Sequence, residues 1–204
     1  LQRFTKRVPS ALQPGLPSVE GVHDAINATG NSASGPDGIP FAFYRAFAAE
    51  LAPVLHRIIL RLASGELPPE GFNEALLFLI PKDLSLLVSK TRPISVTNCD
   101  NRIIAAIFSK ALGPAMEALL SPNQKGFVPH RQGSDHVRGI TDSYYGALTA
   151  GQQKFFLLLD TKKAFDSIDH AFVLAVMDRV GLPPWLISSV KGLLHLVTVR
   201  PLLP

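Results

Sequence analysis

Apolar residues recur with a helical period in two long stretches of the chain. The first predicts a helix over 41–65, in which Gly65 suits the C-terminal stop. Its apolar stripe consists of Leu51, Val54, Leu55, Ile58, Ile59 and Leu62. The second predicts a helix over 98–120, and the Gly113-Pro114 pair is expected to break or kink it, because proline cannot donate a backbone hydrogen bond.

Shorter helices are predicted where a capping residue precedes an apolar segment. Ser18 is expected to cap a helix in "SVEGVHDAI", and Ser134 a helix in "SDHVRGITDSYYGALTA". Asp169 suits the N-cap of a third helix, and "PPWLISSVKGLLHL" predicts a fourth.

Three short apolar runs are typical of strands. "ALLFLIP" (75–81) and "TRPIS" (91–95) are predicted to pair across a loop. "KFFLLLD" (154–160) has an unbroken apolar run, which predicts a strand buried on both faces. The sequence therefore predicts an α+β fold, mostly helical with a few short strands, in which only part of a sheet is present.

Composition narrows the class of protein without naming a function. The 204 residues carry a formal net charge of +4, and 47% of them are hydrophobic, so the chain can bury a core. The mild basic excess suits a polyanionic partner. A single cysteine, Cys99, excludes a disulfide framework and a cysteine-based zinc site. No apolar run is long enough to cross a bilayer, so a membrane partner is not expected.

Asp160 ends the apolar run at 155–159, and two readings of it stay open on this feature alone. A strand end presents a fixed carboxylate beside the next backbone carbonyl, that of Thr161, and such oxygens suit Mg²⁺. The same aspartate could instead cap the following turn. A haloacid-dehalogenase-type phosphatase is excluded, because its pattern needs an aspartate where this chain has Lys162.

Four motifs resemble those of reverse transcriptases, particularly of non-LTR retrotransposons and group II introns. "LLLDTKKAFDSIDH" resembles motif A, and "SGPDGIPFAFYRAF" resembles the upstream G-x-D-G-[IVF]-P element. "LIPKD" with "TRPISVTNCDNRIIAAIFSKAL" resembles the fingers segment. "QKGFVPHRQGSDHV" resembles Q-x-G-F-x-x-G-R-x-x-x-D-x-[IV], with His130 where glycine is usual. The four occur in the family's order between 19 and 196, which makes the resemblance specific.

The resemblance implies roles around an incoming nucleotide. Asp160 would be the first catalytic carboxylate and would hold Mg²⁺ together with the Thr161 carbonyl. Lys82 and Arg92 would grip the triphosphate, although surface cations are often simply solvated. Phe165 would lie under the sugar and disfavour a 2′-hydroxyl, and the alternative for it is a core aromatic residue.

Further roles concern nucleic acid and local structure. Gln124, Gly126, Phe127 and Arg131 match a loop against which template or primer lies, although a lone loop arginine is usually solvated. Asp37 in "GPDG" is read as a turn residue, and Asp166 as structural.

The resemblance also divides the chain and indicates what it lacks. Residues 1–17 are read as a loose lead-in, 18–150 as a fingers-like region, and 151–204 as the first part of a palm. The family's downstream Asp-Asp hairpin has no counterpart, because the 204 residues contain no Asp-Asp pair.

The sequence thus predicts a fragment of a retroelement RNA-directed DNA polymerase. Its expected partners are an RNA template, a DNA primer and a deoxynucleoside triphosphate. The chain alone is expected to be inactive without the downstream palm and thumb. The alternative is a non-catalytic nucleic-acid-binding remnant or a decayed copy of the element.

Overall fold

The fold is α+β, as the apolar patterns predict. A computed structural model describes residues 6–82, 91–161, 164 and 167–202, and within them seven α-helices and three strands. The helices are α1 (Val19–Asn27), α2 (Phe41–Ala46), α3 (Ala48–Ala63), α4 (Cys99–Leu119), α5 (Ser134–Thr149), α6 (His170–Arg179) and α7 (Pro184–Leu193). The strands are β1 (Glu74–Pro81), β2 (Thr91–Thr97) and β3 (Thr198–Pro201).

Two of the three predicted helix caps are confirmed. The Ser18 side chain accepts a hydrogen bond from the Gly21 N–H (3.1 Å), and the Asp169 carboxylate accepts one from Phe172 N–H (2.8 Å). The prediction for Ser134 was wrong, because α5 begins at that residue and its N-cap is Gly133. A cap oxygen must lie on the residue before the first helical one, and glycine has no side chain to supply it.

The two long helical stretches differ from expectation at one point each. The first is divided into α2 and α3 by Phe47, whose backbone leaves the helical region (φ −118°, ψ 34°). Its predicted end is confirmed, since Gly65 adopts φ +90° and donates to Leu62 O (3.0 Å). The break expected at Gly113-Pro114 is absent, since α4 continues to Leu119, and the alternative of a kink at this pair stays a prediction.

The core lies among α1, α3, α4 and α7. Its most deeply buried apolar side chains come from all four helices: Val22, Ile26, Ile59, Leu62, Ile103, Ile104 and Leu186. Burying a side chain of this size stabilises the fold by about 1.5–3 kcal/mol. The predicted stripe supplies three buried core residues from α3: Leu55, Ile59 and Leu62. The apolar spacing therefore correctly identified residues that form the core of the helical body.

Residues 6–17 lie against the connection between α6 and α7. Val8 N–H donates to Val180 O (2.8 Å), and the Gln13 amide donates to Gly181 O (2.8 Å). The Trp185 indole N–H donates to Pro14 O (3.3 Å). One turn of 3₁₀-helix, Ser10–Leu12, lies in this segment. These bonds attach the start of the described chain to the helical body.

The sheet has the strand order β2-β1-β3 and stands apart from the helices. The predicted hairpin is confirmed: β1 and β2 pair antiparallel, from Ala75↔Thr97 to Pro81↔Thr91. β3 runs parallel to β1, and sequence reasoning missed it, because a four-residue strand containing proline is specified only by its neighbour. Ile80 and Ile94 are nearly half exposed, so the outer hairpin projects from the body.

The strand predicted over 154–160 does not form. Residues 152–160 have no regular secondary structure, and four of the five apolar side chains are more than 80% exposed: Phe155, Leu157, Leu158 and Leu159. An extended chain needs a neighbouring strand for its backbone hydrogen bonds, and within the described part of the chain none pairs with this run. The apolar pattern correctly indicated that this segment is suited to burial. The prediction that it is a strand buried on both faces was wrong.

Candidate functional site

The tip of the β1–β2 hairpin carries two cations that the motifs single out. Arg92 lies opposite Ile80 in the hairpin register, and Lys82 directly follows the last residue of β1. Both side chains are exposed. The register ends at the pair Pro81↔Thr91, so Arg92 and Lys82 each lie one residue from this last pair, at the same end of the hairpin. The fold thus brings both predicted triphosphate ligands to one exposed end of the sheet.

An apolar surface adjoins Arg92 on the same face of the hairpin. Phe78 pairs with Ile94, and Ile80 pairs with Arg92, so these four side chains share one side of the sheet. Phe78 is partly exposed, and both isoleucines are nearly half exposed. A surface with apolar and cationic portions can contact a sugar or base while pairing with phosphate charges.

The loop that contains Gln124, Gly126 and Phe127 is held by Arg131. The Arg131 guanidinium donates to the carbonyl oxygens of Ser121 (2.6 Å), Gln124 (2.9 Å) and Glu117 (3.0 Å). The Gln124 side-chain amide donates to Gly126 O (3.1 Å), while Phe127 is 94% exposed. Arg131 therefore orders the loop after α4, a local role that sequence reasoning missed.

His130 occupies a backbone conformation that explains the family pattern. Its φ is +62°, in the left-handed region where a side chain is disfavoured and glycine is not. The motif normally has glycine at this position, and the structure gives a physical reason for that preference. Phe127 also has a positive φ, +59°, so the loop turns sharply twice within four residues.

The "GPDG" loop is fastened to the start of α4. The Asp37 carboxylate accepts a hydrogen bond from Ile39 N–H (3.0 Å), which confirms its turn role. The Asp37 N–H in turn donates to the Asn98 side chain (3.2 Å). A Cβ on Gly35 would lie 2.5 Å from the Asn98 backbone nitrogen, closer than such atoms approach. The loop and the helix that follows β2 thus hold each other in place.

Two arginines bind the segment 29–33, which directly precedes the "GPDG" loop. Arg102 donates to the Ser32 hydroxyl (2.9 Å), and its guanidinium lies 4.6 Å from the centre of the Phe41 ring. Arg45 donates to Thr29 O (3.0 Å) and also contacts the Asn31 side chain. Neither role was predicted, because each arginine is distant in sequence from most of what it binds.

A cleft of about 370 Å³ lies at the other end of the hairpin, beside the "GPDG" loop. Its charged lining is mostly acidic and consists of Asp37, Glu70, Glu74, Asp100 and Arg200. Burial raises the pKa of Asp100, and a hydrogen bond from the Asn101 N–H opposes this. Burial, followed by the charges of Asp100 and Asp37, raises the pKa of Tyr44. This negative environment disfavours binding of a polyphosphate in the cleft.

Asp160 and Thr161 lie at the end of the exposed apolar stretch. Within the described residues the Asp160 carboxylate makes no hydrogen bond or ion pair, and both residues are exposed. Phe165 and Asp166 lie outside the described residues. One carboxylate and one backbone carbonyl do not fit a two-metal site, which needs further carboxylates. The described parts of the chain contain no cluster of three metal-ligating side chains.

The helices, the cationic hairpin and the ordered motifs together describe part of a nucleic-acid polymerase. The chain matches the reverse transcriptase (RNA-dependent DNA polymerase) family over residues 80–200, more than half of its length. It belongs to that family, and the resemblance of its motifs is thereby confirmed.

Curated relatives come from retrotransposons. The chain is 32% identical over 163 residues, 79% of its length, to the transposon TX1 uncharacterized 149 kDa protein of Xenopus laevis. It is 31% identical over 117 residues, 56% of its length, to the retrovirus-related Pol polyprotein from type-1 retrotransposable element R2 of Popillia japonica. The corresponding R2 polyprotein of Nasonia vitripennis is 24% identical over 78% of the chain. The chain spans 12–16% of the length of these proteins.

No helix in the described parts of the chain is long and apolar enough to span a membrane.

Proposed function

We propose that this chain is part of the RNA-directed DNA polymerase of a non-LTR retroelement, and that its hairpin tip binds the triphosphate of the incoming deoxynucleotide. The observation that carries the proposal is the hairpin register, which brings Lys82 and Arg92 to one exposed end. Arg92 offers a planar fork to phosphate oxygens, and Lys82 offers a compact charge. The apolar face beside Arg92, with Phe78 and Ile80, is then available to the rest of the nucleotide.

The other predicted residues act around this nucleotide in the proposal. In the intact enzyme, Asp160 and the Thr161 carbonyl would hold Mg²⁺ together with carboxylates from outside these 204 residues, and the ion would supply positive charge to the phosphates. The aromatic ring of Phe165 would disfavour a 2′-hydroxyl and so select deoxynucleotides. The loop residues Gln124, Gly126, Phe127 and Arg131 face the RNA template or DNA primer, with Arg131 acting through the loop that it orders.

The division of the chain belongs to the same proposal. Residues 18–150 form the fingers-like region, which contains the hairpin. Residues 151–204 form the first part of the palm, which contains Asp160, and 1–17 are the lead-in. The bonds that join residues 8 and 13 to the α6–α7 connection support a lead-in that reaches the palm-like region.

Binding of a deoxynucleoside triphosphate to the purified 204-residue chain tests the hairpin assignment. We expect Lys82→Ala and Arg92→Ala each to weaken binding at least tenfold, which is about 1.4 kcal/mol, and low salt to strengthen it. The single variants Lys110→Ala and Arg57→Ala are the matched controls, because each removes one positive charge from an exposed position, on α4 and α3 respectively. An equal loss in the controls would show that only net charge matters and would remove the hairpin from the proposal.

Primer extension tests the catalytic part of the proposal. The chain contains no Asp-Asp pair to share a metal site with Asp160, so we expect no extension of a DNA primer on an RNA template with Mg²⁺. Template-dependent products from these residues alone would contradict this expectation. Retained binding of primer–template without any binding of deoxynucleotide would favour the non-catalytic alternative.

A further inference from the structure

A buried pair of asparagines joins the fixed end of the hairpin to the helical body. Asn73 directly precedes β1, and Asn101 is the third residue of α4, which begins two residues after β2 ends. Both side chains are buried, and apart from Ser189 they are the only polar residues buried in the described structure. Each strand of the hairpin therefore ends, on the body side, beside one of these amides.

The hydrogen bonds of the pair fix both amides in one orientation. Asn101 Nδ2 donates to Asn73 Oδ1 (2.9 Å) and to Phe72 O (3.3 Å). Asn73 Nδ2 donates to Gly192 O (2.8 Å) and His195 O (2.6 Å) at the end of α7. Reversing the Asn73 amide would direct its oxygen at two carbonyl oxygens, so its orientation is determined by its surroundings. The pair thus links α4, β1 and α7 through four hydrogen bonds.

The same end of the hairpin has two further attachments. β3 follows α7 and pairs with the first half of β1, from Glu74↔Thr198 to Leu77↔Pro201. Arg200 donates to the Glu74 carboxylate through Nε (3.1 Å) and Nη2 (2.7 Å). In the outer half, β1 pairs only with β2 among the described strands. The hairpin is therefore held at its base, and its outer half projects.

This arrangement makes the position of the tip sensitive to the base. An eight-residue strand is about 25 Å long, so a tilt of about 5° at the base moves the far end by about 2 Å. Displacements of this size are large relative to the geometry that bound ligands require. Small changes at Asn73 or Asn101 would thus be enlarged at Lys82 and Arg92.

We propose that Asn73 and Asn101 are positioning residues that set the direction of the β1–β2 hairpin and so place Lys82 and Arg92 for triphosphate binding. The inference rests on the proposed function for its effect on binding. Its effect on hairpin position stands on the hydrogen bonds alone. Neither asparagine touches the nucleotide, so each acts through the strand that it anchors.

Two measurements on Asn101→Ala test the proposal. The first is the dissociation constant for a deoxynucleoside triphosphate, which we expect to rise five- to tenfold while circular dichroism shows a folded chain. The second is the distance distribution between spin labels at Ile94→Cys and Arg57→Cys, in a Cys99→Ala background. Ile94 lies three residues, or about 10 Å, from the base of the hairpin, so a tilt of about 5° should broaden this distribution or shift it by about 1 Å.

The control variant is Ile59→Val, which loosens the core in α3 without touching the hairpin. It should lower the melting temperature yet leave the dissociation constant and the distance distribution unchanged. A purely structural role for Asn101 would make both variants behave alike. If Asn101→Ala does not fold, Asn101→Ser retains a donor for Asn73 Oδ1 and should give smaller changes in the same direction.

The outcomes separate this inference from the proposed function. Unchanged distances in a folded Asn101→Ala chain would overturn the inference, whatever the binding data show. Changed distances with unchanged binding would also overturn it, because the direction of the hairpin would then not matter to the ligand. If the unsubstituted chain shows no binding that depends on Lys82 and Arg92, the proposed function fails, and with it the role of the pair in binding.

Discussion

Helix α3 and the stretch 154–160 are both strongly apolar, yet one is buried and the other is exposed. Leu62 in α3 is 2% exposed, whereas Leu158 in the stretch is 87% exposed. The apolar face of α3 meets α1, α4 and α7. Among the described residues, no strand pairs with the stretch. An apolar pattern therefore shows that a segment is suited to burial, while burial itself depends on a partner.

Backbone hydrogen bonding explains why α3 is buried and the stretch 154–160 is exposed. A helix forms its hydrogen bonds within itself, so α3 needs a partner only for its side chains. A strand needs a neighbour for its backbone as well, and for β1 the sequence supplies β2 only ten residues later. The comparison predicts that identical substitutions will have very different effects in the two regions.

The largest expected difference is between Leu62→Ala and Leu158→Ala. The first removes a buried side chain that packs against Gly192 where α3 crosses α7, and we expect a loss of about 3–4 kcal/mol in the free energy of unfolding. The second removes an exposed side chain and should change that free energy by less than about 0.5 kcal/mol. Urea denaturation of both variants measures the contrast. A loss above about 2 kcal/mol for Leu158→Ala would show that the stretch is buried in solution.

The same contrast between packed and open segments predicts opposite signs for two glycine-to-alanine substitutions, one in the "GPDG" loop and one in α5. Gly35 lies against the Asn98 backbone, so Gly35→Ala forces the loop and α4 apart and should destabilise by about 2–3 kcal/mol. Gly139 lies inside the exposed helix α5, where a methyl group added to it would meet no atom within 4 Å apart from the neighbouring backbone of the helix itself. Gly139→Ala should stabilise by about 0.5–1 kcal/mol, because alanine is the better helix former.

Thermal melts of the two variants, followed by circular dichroism, check this pair. A higher melting temperature for Gly35→Ala would mean that the "GPDG" loop is not fastened to α4. A lower one for Gly139→Ala would mean that α5 packs closely against another surface. Either result would contradict the proposed difference between the packed "GPDG" loop and the exposed helix α5.

Much of the fold and part of the site could be predicted from local sequence. Ser18 and Asp169 are caps that act on residues three positions away, and the hairpin that carries Lys82 and Arg92 joins adjacent segments. What sequence reasoning missed depends on distant partners. Asn73 binds a carbonyl 119 residues away, and β3 exists only because β1 lies beside it. No local pattern specifies such contacts, because the sequence around an asparagine that anchors a helix end does not differ from the sequence around one in a turn.

A small effect is expected at His130, in the loop between α4 and α5. Its φ of +62° disfavours any side chain, and its ring is exposed, so it gains little from packing. His130→Gly should therefore stabilise the chain by about 0.5–1 kcal/mol, since relief of strain outweighs the added freedom of the unfolded state. Gly126→Ala, earlier in the same loop and without a positive φ, is a control that should change stability little. Chemical denaturation of both variants measures the effect. A loss of stability in His130→Gly would show that the imidazole has a role that outweighs the strain, and the departure from the family motif would then need a functional explanation.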